Sequence, residues 1–438
     1  MPKALPEVKE QIRSMLEAGH APAVWEQQLN QLDSAELLHA VFQLKPHEQR
    51  DLLSAVSAQR AAHFVEEFPS AHSADLIEDM PAEHAAPIME ELASNVRVDV
   101  LSEMEQDDSA AILEQLEEDD VEEIRQLIAY PPDVAGGLMM TEFAVYPMQA
   151  RVQQVVEELT GREGDYEFLT VHYIYVVDRK NRLRGVIRLR DLVFAEPAAT
   201  IGSIATRALT VAPDASLAEL DQFFFDHDIA AVPVVDPRNH LLGIVRRRSV
   251  LEALAEKAEA DHLKGAGIVG GDELRNMPVL LRSKRRLSWL SINIGLNIVA
   301  ASVIALYEDT LSAVIALAVF LPIVSDMSGC SGNQAVAVSM RELTLGAADP
   351  KDVARVWGKE VTVGLINGLA LGLLLGLAAW AWKGNPILGL VVGLALALNT
   401  VLAVSIGGTV PLILKRMDID PAVASGPLLT TITDMLSL

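Results

Sequence analysis

Between about residue 30 and residue 128 the apolar positions recur at helical spacing, and the whole pattern repeats every 24 residues. Asp51, Asp75 and Asp99 share one register, and Val56, Met80 and Met104 a second. Phe64, Ile88 and Ile112 form a third; Phe68, Leu92 and Leu116 form a fourth. Each copy breaks near its middle, as in DLIEDMPAEHAAPIMEEL from Asp75 to Leu92, so each reads as a pair of short helices. Short helices cannot bury an apolar face alone and must stack on their neighbours. The pattern therefore predicts an all-α solenoid over residues 1–130.

The stretch YPPDVAGGLMM, Tyr130 to Met140, ends that pattern with Pro and Gly and opens a different one. Two strand–turn–strand–helix runs then recur 58 residues apart, IYVVDRKNRLRGVIRLRDLV from Ile174 and VPVVDPRNHLLGIVRRRSVL from Val232. Asp178 matches Asp236, Asn181 matches Asn239, and Gly185 matches Gly243. With a preceding strand and helix in each copy, this resembles a tandem pair of CBS domains, an α/β unit within residues 131–256. That resemblance implies an adenosine nucleotide such as ATP between the repeats, its ribose held by an acid at the start of the last helix. Repeat one keeps the acid as Asp191 but has Arg188 where Ser or Thr is expected; repeat two has Ser249 in its place. Arg246, Arg247 and Arg248 read equally as phosphate ligands or as a solvated helix entry.

After a connecting, plug-like helix over residues 257–286 the chain becomes membrane-like. Apolar segments near 287–306, 312–338, 361–382 and 387–414 are each long enough to cross a hydrocarbon layer about 30 Å thick. A fifth, Ala422 to Leu438, extends about 25 Å as a helix and falls short of a crossing. The α-helical transmembrane bundle is thus expected over 287–438, with four full helices and a partial fifth. Arg282, Lys284, Arg285, Arg286, Arg341, Lys351, Arg355, Lys359, Lys415 and Arg416 fall on one side of these spans. Glu308, Asp309 and Lys383 fall on the other, which puts the front half in the cytoplasm. The N-terminal stretch MPKALPEVKEQIRSMLEAGH has no apolar core and does not read as a secretory signal.

Charge sharpens the division. The formal net charge is −25, from 60 acids against 35 Lys and Arg, while 50% of residues are hydrophobic. The acids gather in the front half, including EQLEEDDVEEI from Glu114, and disfavour nucleic acid as a partner. They suit divalent cations, which would let one acidic surface lie against another. A single cysteine, Cys330, excludes an intrachain disulfide framework.

Two polar anomalies lie at membrane depth, where an ionised side chain costs about 2.5 to 3.5 kcal/mol on insertion scales and so faces water, a partner or an ion. On the fifth segment Pro427, Thr430, Thr431, Asp434 and Ser437 recur every three or four residues. On the second, LPIVSDMSGCSGNQ carries Asp326, Asn333 and Gln334, with Pro322 expected to interrupt the helical ladder and Gly329 and Gly332 permitting close backbone approach. Asn293, Asn297, Asn367 and Asn399 read as interhelical hydrogen-bonding residues.

A solenoid, two CBS repeats, a connecting helix, GCSGNQ in the second membrane segment and DPAVASGPLLTTITD at the fifth together resemble the MgtE family of magnesium channels over nearly the whole chain. The resemblance implies a homodimer in the plasma (inner) membrane whose fifth helices line a central pore. It implies that Asp434 holds hydrated Mg²⁺, and that cytoplasmic acids, among them Glu256, Glu259 and Asp261, sense Mg²⁺ and close the pore. Pro322, Gly329, Gly332, Asn333, Gln334, Pro427, Thr430 and Thr431 are the expected pore lining, with Asp326 as a second acid near the ion path. In the family the fifth helix continues past this acid for a full crossing, so a truncated fifth helix is expected here. No ATP-hydrolysis motif is present, and an enzyme is not expected. The competing reading is a CBS membrane regulator that senses a nucleotide or an ion without transporting one.

Overall fold

The computed structural model describes residues 5–18, 22–161, 172–268, 279–309, 314–344, 346–417 and 419–436. They form two compact units, Met1–Ala255 and Glu256–Leu438.

In the first unit α1 (Leu5–Ala18), α2 (Pro22–Leu29) and α3 (Ser34–Phe42) lead into α4 (Pro46–Ala55), α5 (Ala58–Glu66), α6 (Ser70–Glu78), α7 (Ala82–Glu91), α8 (Ser94–Glu103), α9 (Gln106–Leu113) and α10 (Glu118–Ile128). The 24-residue repeat is a pair of helices, and the second register is the break between them: Val56 and Met104 are C-caps, and Met80 precedes Pro81, the N-cap of α7. Every residue of the second, third and fourth registers is buried, which is why the period is visible in the chain. Arg97, itself buried, donates to the carbonyls of Glu90 (2.8 Å) and Leu92 (3.1 Å) at the end of α7 and pairs with Asp120 of α10 (3.3 Å). A cation there satisfies carbonyls that a helix end leaves unbonded.

The CBS pair follows: α11 (Ala135–Leu138), β1 (Ala144–Pro147), α12 (Val152–Gly161), β2 (Tyr173–Val177), β3 (Leu183–Arg188), α13 (Leu189–Val193), α14 (Ile201–Ile204), α15 (Leu217–Asp226), β4 (Ala231–Val235), β5 (Leu241–Arg246) and α16 (Arg247–Gly265). β1 pairs in parallel with β2, which pairs antiparallel with β3. In the second repeat β4 pairs antiparallel with β5, and Val211 bridges Val234 in parallel where β1 stands in the first. Both hairpins shift register at the same place, Val176/Val177 and Val234/Val235.

The matched acids and amides explain both turns. Asp178 accepts from the backbone N–H of Lys180 (2.8 Å) and Arg182 (3.1 Å); Asp236 accepts from Arg238 (2.8 Å) and His240 (2.7 Å). Asn181 (φ 55°) and Asn239 (φ 66°) take the left-handed conformation that the turn needs and that Asn tolerates. The two turns then bond to each other, Leu183 N–H to Asn239 O (2.9 Å) and Leu241 N–H to Asn181 O (3.3 Å).

Solenoid and CBS pair share one apolar core, in which Leu101, Ile124 and Leu127 join Leu138, Leu217, Val232 and Val245. Glu142 reinforces the joint, accepting from Ser94 N–H (2.9 Å) and Ser94 Oγ (3.1 Å) at the start of α8. Burial pushes the Glu142 carboxyl above its usual range, against hydrogen bonds from its own backbone and Ser94 and the charge of Arg97. Arg247 and Arg248 make ion pairs: Arg247 with Asp228 (3.2 Å), Arg248 with Glu252 (2.5 Å) and with Glu67 of the solenoid (3.3 Å).

The second unit holds α17 (Val279–Ala305), α18 (Ile315–Thr344), α19 (Val353–Lys383), α20 (Pro386–Arg416) and α21 (Pro421–Leu436). Among the described residues four stretches are long and apolar enough to cross a membrane: Arg282–Ala305, Ile315–Thr344, Val353–Lys383 and Pro386–Arg416. The basic residues Arg282 to Arg286 lie in α17 itself, at the start of the first span. α19 and α20 pack backbone to backbone: a Cβ on Gly372 would lie 2.4 Å from Gly393 O, and one on Gly389 would lie 2.5 Å from Gly376 O.

Candidate ion site in the membrane unit

α18 is helical through Pro322, contrary to the expected interruption. Proline removes one N–H from the ladder, and in a membrane bundle the freed carbonyl can be satisfied by small local adjustments, so the helix persists. Gly332 is where α18 meets two other helices. A Cβ on Gly407 of α20 would stand 2.3 Å from Gly332 O, and a Cβ on Gly332 would stand 2.8 Å from Leu429 Cδ2 of α21. Ser339 Oγ adds a hydrogen bond of 2.7 Å to Gly408 O.

This close approach carries α21 against α18 and α20. Leu429 and Thr433, four residues apart on one face, are fully buried, and Asn399 of α20 donates to Thr433 O (3.2 Å) and to Ser328 Oγ of α18 (2.8 Å). The next residue is Asp434, half-buried, whose Oδ1 accepts a hydrogen bond from Ser325 Oγ of α18. Thr430, one turn earlier, is exposed and bonds back to Gly426 O (2.9 Å). The expected polar stripe therefore divides: Thr430 and Asp434 lie on the open flank, whereas Thr431 is buried. The side chain of Pro427, and Ser437, lie outside the described residues. Thr433 belongs to the polar set although it is off the expected stripe.

On α18 the residues Pro322, Asp326 and Asn333 are exposed, Gln334 is exposed beside them, and Gly329 is half-buried. At 100° per residue, Pro322, Asp326, Gly329 and Asn333 fall within one narrow stripe. Gly329 borders α21, since a Cβ there would lie 3.8 Å from Thr433 Oγ1. The Asp326 stripe thus flanks the seam at which Ser325 meets Asp434.

A second acidic locus lies at the other end of α21. Asp420 accepts from Ala422 N–H (2.9 Å) and pairs with Lys264 of α16 (3.1 Å). Asp261, half-buried on the same helix, is pushed above the usual carboxylate range by burial and by the charge of Asp420, with Lys264, Lys257 and Lys415 opposing. Of the three expected sensing acids Asp261 is the one brought to this locus; Glu256 and Glu259 are exposed.

The first unit brings together three acids that spacing did not reveal. One carboxylate oxygen each from Glu78 of α6, from Glu105, the N-cap of α9, and from Asp108 in its first turn lie within 4.8 Å of one another. The Glu78 carboxyl is raised by burial and by the charge of Asp108. Such a hard-oxygen set suits Mg²⁺ or Ca²⁺. A cavity of about 300 Å³ opens between the CBS repeats, lined by His172, Tyr173, Arg188, Leu189, Arg190 and Ala230. Asp191 is exposed on α13 and is not in that lining.

Comparison with known proteins agrees along the chain. Residues 321–438 match the MgtE family, described as a divalent cation transporter; residues 31–133 match the MgtE intracellular N domain; residues 134–197 and 201–256 each match a CBS domain. The magnesium transporter MgtE of Thermus thermophilus is 36% identical over 318 residues, covering 72% of this chain and 70% of that protein. Its counterpart in Bacillus subtilis is 32% identical over 316 residues, covering 72% and 69%. The crystal structure of the soluble part of a magnesium transporter superposes with a TM-score of 0.51 at 26% identity, covering 58% of this chain and 99% of that one. With four spans among the described residues and relatives this similar over this share of both chains, the chain is an integral membrane protein, not an enzyme, and belongs to the MgtE family of divalent cation transporters.

Proposed function

We propose that the chain conducts Mg²⁺ across the membrane as a homodimer, with Asp434 as the ion-recognising group. The observation that carries this reading is the half-buried Asp434 on the open flank of α21, its Oδ1 accepting from the Ser325 hydroxyl. Mg²⁺ sheds its waters reluctantly, so a carboxylate touching the hydration shell suits it better than a full protein cage. A second copy facing the same flank would bring two such charges to one depth, and exposed Thr430, Pro322, Asp326 and Asn333 would line the path with Gly329, Gln334 and Pro427, while Gly332 and Thr431, buried between the helices, would support it from behind. The membrane potential drives entry: a divalent ion gains about 4.6 kcal/mol per 100 mV, twice the single-charge value.

Regulation by intracellular Mg²⁺ is part of the same proposal. Asp261 with Asp420 is one candidate sensing site, with Glu256 and Glu259 on the same helix; Glu78 with Glu105 and Asp108 is another. An ion there would offset repulsion between acids that burial already disfavours as charged groups. A nucleotide such as ATP is proposed for the CBS cleft on the strength of Arg188, Arg190 and His172, which suit phosphates; Asp191 would reach the ligand only from the rim.

The test is Mg²⁺ uptake into liposomes by the parent chain and by Asp434→Ala. Loss of at least about a hundredfold is expected, in line with removing the principal charged ligand of an ion path. Uptake at the parent rate would reject the site.

A further inference from the structure

The geometry points to Asn399 as a positioning residue for the ion site, acting with Ser325 to fix the carboxylate of Asp434; the inference rests on the reading of Asp434 given above. Asn399 is 1% exposed in the middle of α20. Both hydrogens of its amide are used, one on Ser328 Oγ (2.8 Å) and one on Thr433 O (3.2 Å). Ser328 turns its own hydroxyl hydrogen to Val324 O (2.8 Å) or Ser325 O (3.0 Å), and so can only accept from Asn399. The orientation of the amide follows from Thr433: a carbonyl tolerates a donor and repels an oxygen, so Nδ2 must face it.

That orientation leaves Asn399 Oδ1 buried without a hydrogen-bond partner among the described residues. An unsatisfied buried acceptor is destabilising, and a residue chosen for helix packing alone would not need one. The amide does, however, lock the peptide that carries Asp434. Thr433 O belongs to the peptide group whose nitrogen is that of Asp434, so the bond to α20 sets the rotation of α21 at that turn. Ser325 then meets the carboxylate from α18. Asn399 and Ser325 thus hold the backbone and the side chain of one residue from two different helices, and the carboxylate is presented to an ion in a fixed direction. A rigidly aimed carboxylate discriminates between hydration shells of different size, whereas a swivelling one adapts to each.

The test uses the full chain in liposomes and reads the ratio of Mg²⁺ to Ca²⁺ uptake, beside total Mg²⁺ uptake, for Asn399→Leu, Asn399→Gln, Ser325→Ala and Asp434→Asn. Asn399→Leu and Ser325→Ala are expected to lower the ratio at least threefold, and Asn399→Gln, which keeps the donors, to restore part of it. On an Asp434→Asn background neither change is expected to move the ratio further. Should Asn399→Leu fail to assemble, the milder Ser325→Ala decides. A parental ratio in the assembled variants, with Asp434→Asn itself impaired, would overturn the positioning role alone. Parental behaviour of Asp434→Asn would overturn the ion site and this role together.

Discussion

The solenoid and the membrane bundle are both stacks of helices, and they hold together in opposite ways. Between solenoid helices the contacts are large side chains: Phe64, Phe68, Ile88, Leu92, Ile112 and Leu116 fill the interior and are shielded from water. Between α19 and α20 the contacts are glycines, with Gly364, Gly368, Gly372 and Gly376 on one helix against Gly389, Gly393, Ala397 and Val401 on the other. Water explains the difference. In the solenoid each buried large side chain contributes about 1.5 to 3 kcal/mol because it leaves water. In lipid that driving force between helices vanishes, and close backbone approach with interhelical hydrogen bonds takes its place. Polar residues also change role. Asp178 on the CBS surface is pushed up by burial but held well below the usual carboxylate range by Arg182, Arg184 and backbone N–H groups, whereas Asp434 accepts a hydrogen bond from the hydroxyl of Ser325 on another helix. The first carboxylate ties a surface turn together; the second is the one proposed to attract a cation from solution.

The contrast predicts where a small change is worst. Gly393→Val, which adds a few carbons at a lipid-embedded contact, would place Cβ 2.6 Å from Gly372 O and force the backbones of α19 and α20 apart. Destabilisation of at least about 3 kcal/mol is expected, the upper range for overpacking. It would be read as loss of monodisperse protein in detergent, and normal yield and melting behaviour would break the contrast.

A smaller effect belongs to the solenoid. His72 is buried between Phe42 and Phe68 with Nε2 3.2 Å from Gln49 Oε1, and burial lowers its affinity for a proton. Its folded form therefore holds the neutral ring, while the unfolded chain takes up a proton below about pH 6.5. Stability from this group is complete above that pH and is lost as pH falls through it. Hydrogen exchange of α4 to α6 should quicken between about pH 7 and pH 5 more in the parent than in His72→Phe, after correction for intrinsic rates. Equal acceleration in both would remove His72 from the account.

Much of this was legible in the chain because it repeats or because water and lipid impose strong patterns. The solenoid registers, the paired turns at Asp178 and Asp236, and the four spans follow from periodicity and length. What was hidden depends on which helices touch. Glu78 and Glu105 are 27 positions apart and converge only when α6 stacks near α9. Asp420 looks like a helix cap until Asp261 and Lys264 are seen beside it. Asn399 had only the general reading of an interhelical bond; its partners Ser328 and Thr433 lie on two other helices. The glycines at every fourth position of α19 were a visible signal of close packing that spacing alone would have found.

The claim on which the ion site depends is that the open flanks of two copies face each other, and cross-linking tests it most directly. Cys330→Ser is combined with Asp434→Cys, and the full chain is oxidised in liposomes with and without Mg²⁺. A disulfide-linked dimer that forms readily is the predicted result; a change in its rate with millimolar Mg²⁺ would report the cytoplasmic acids, since the variant lacks the carboxylate of Asp434. Chains that stay monomeric under oxidation while the introduced thiol remains open to small thiol reagents would contradict it.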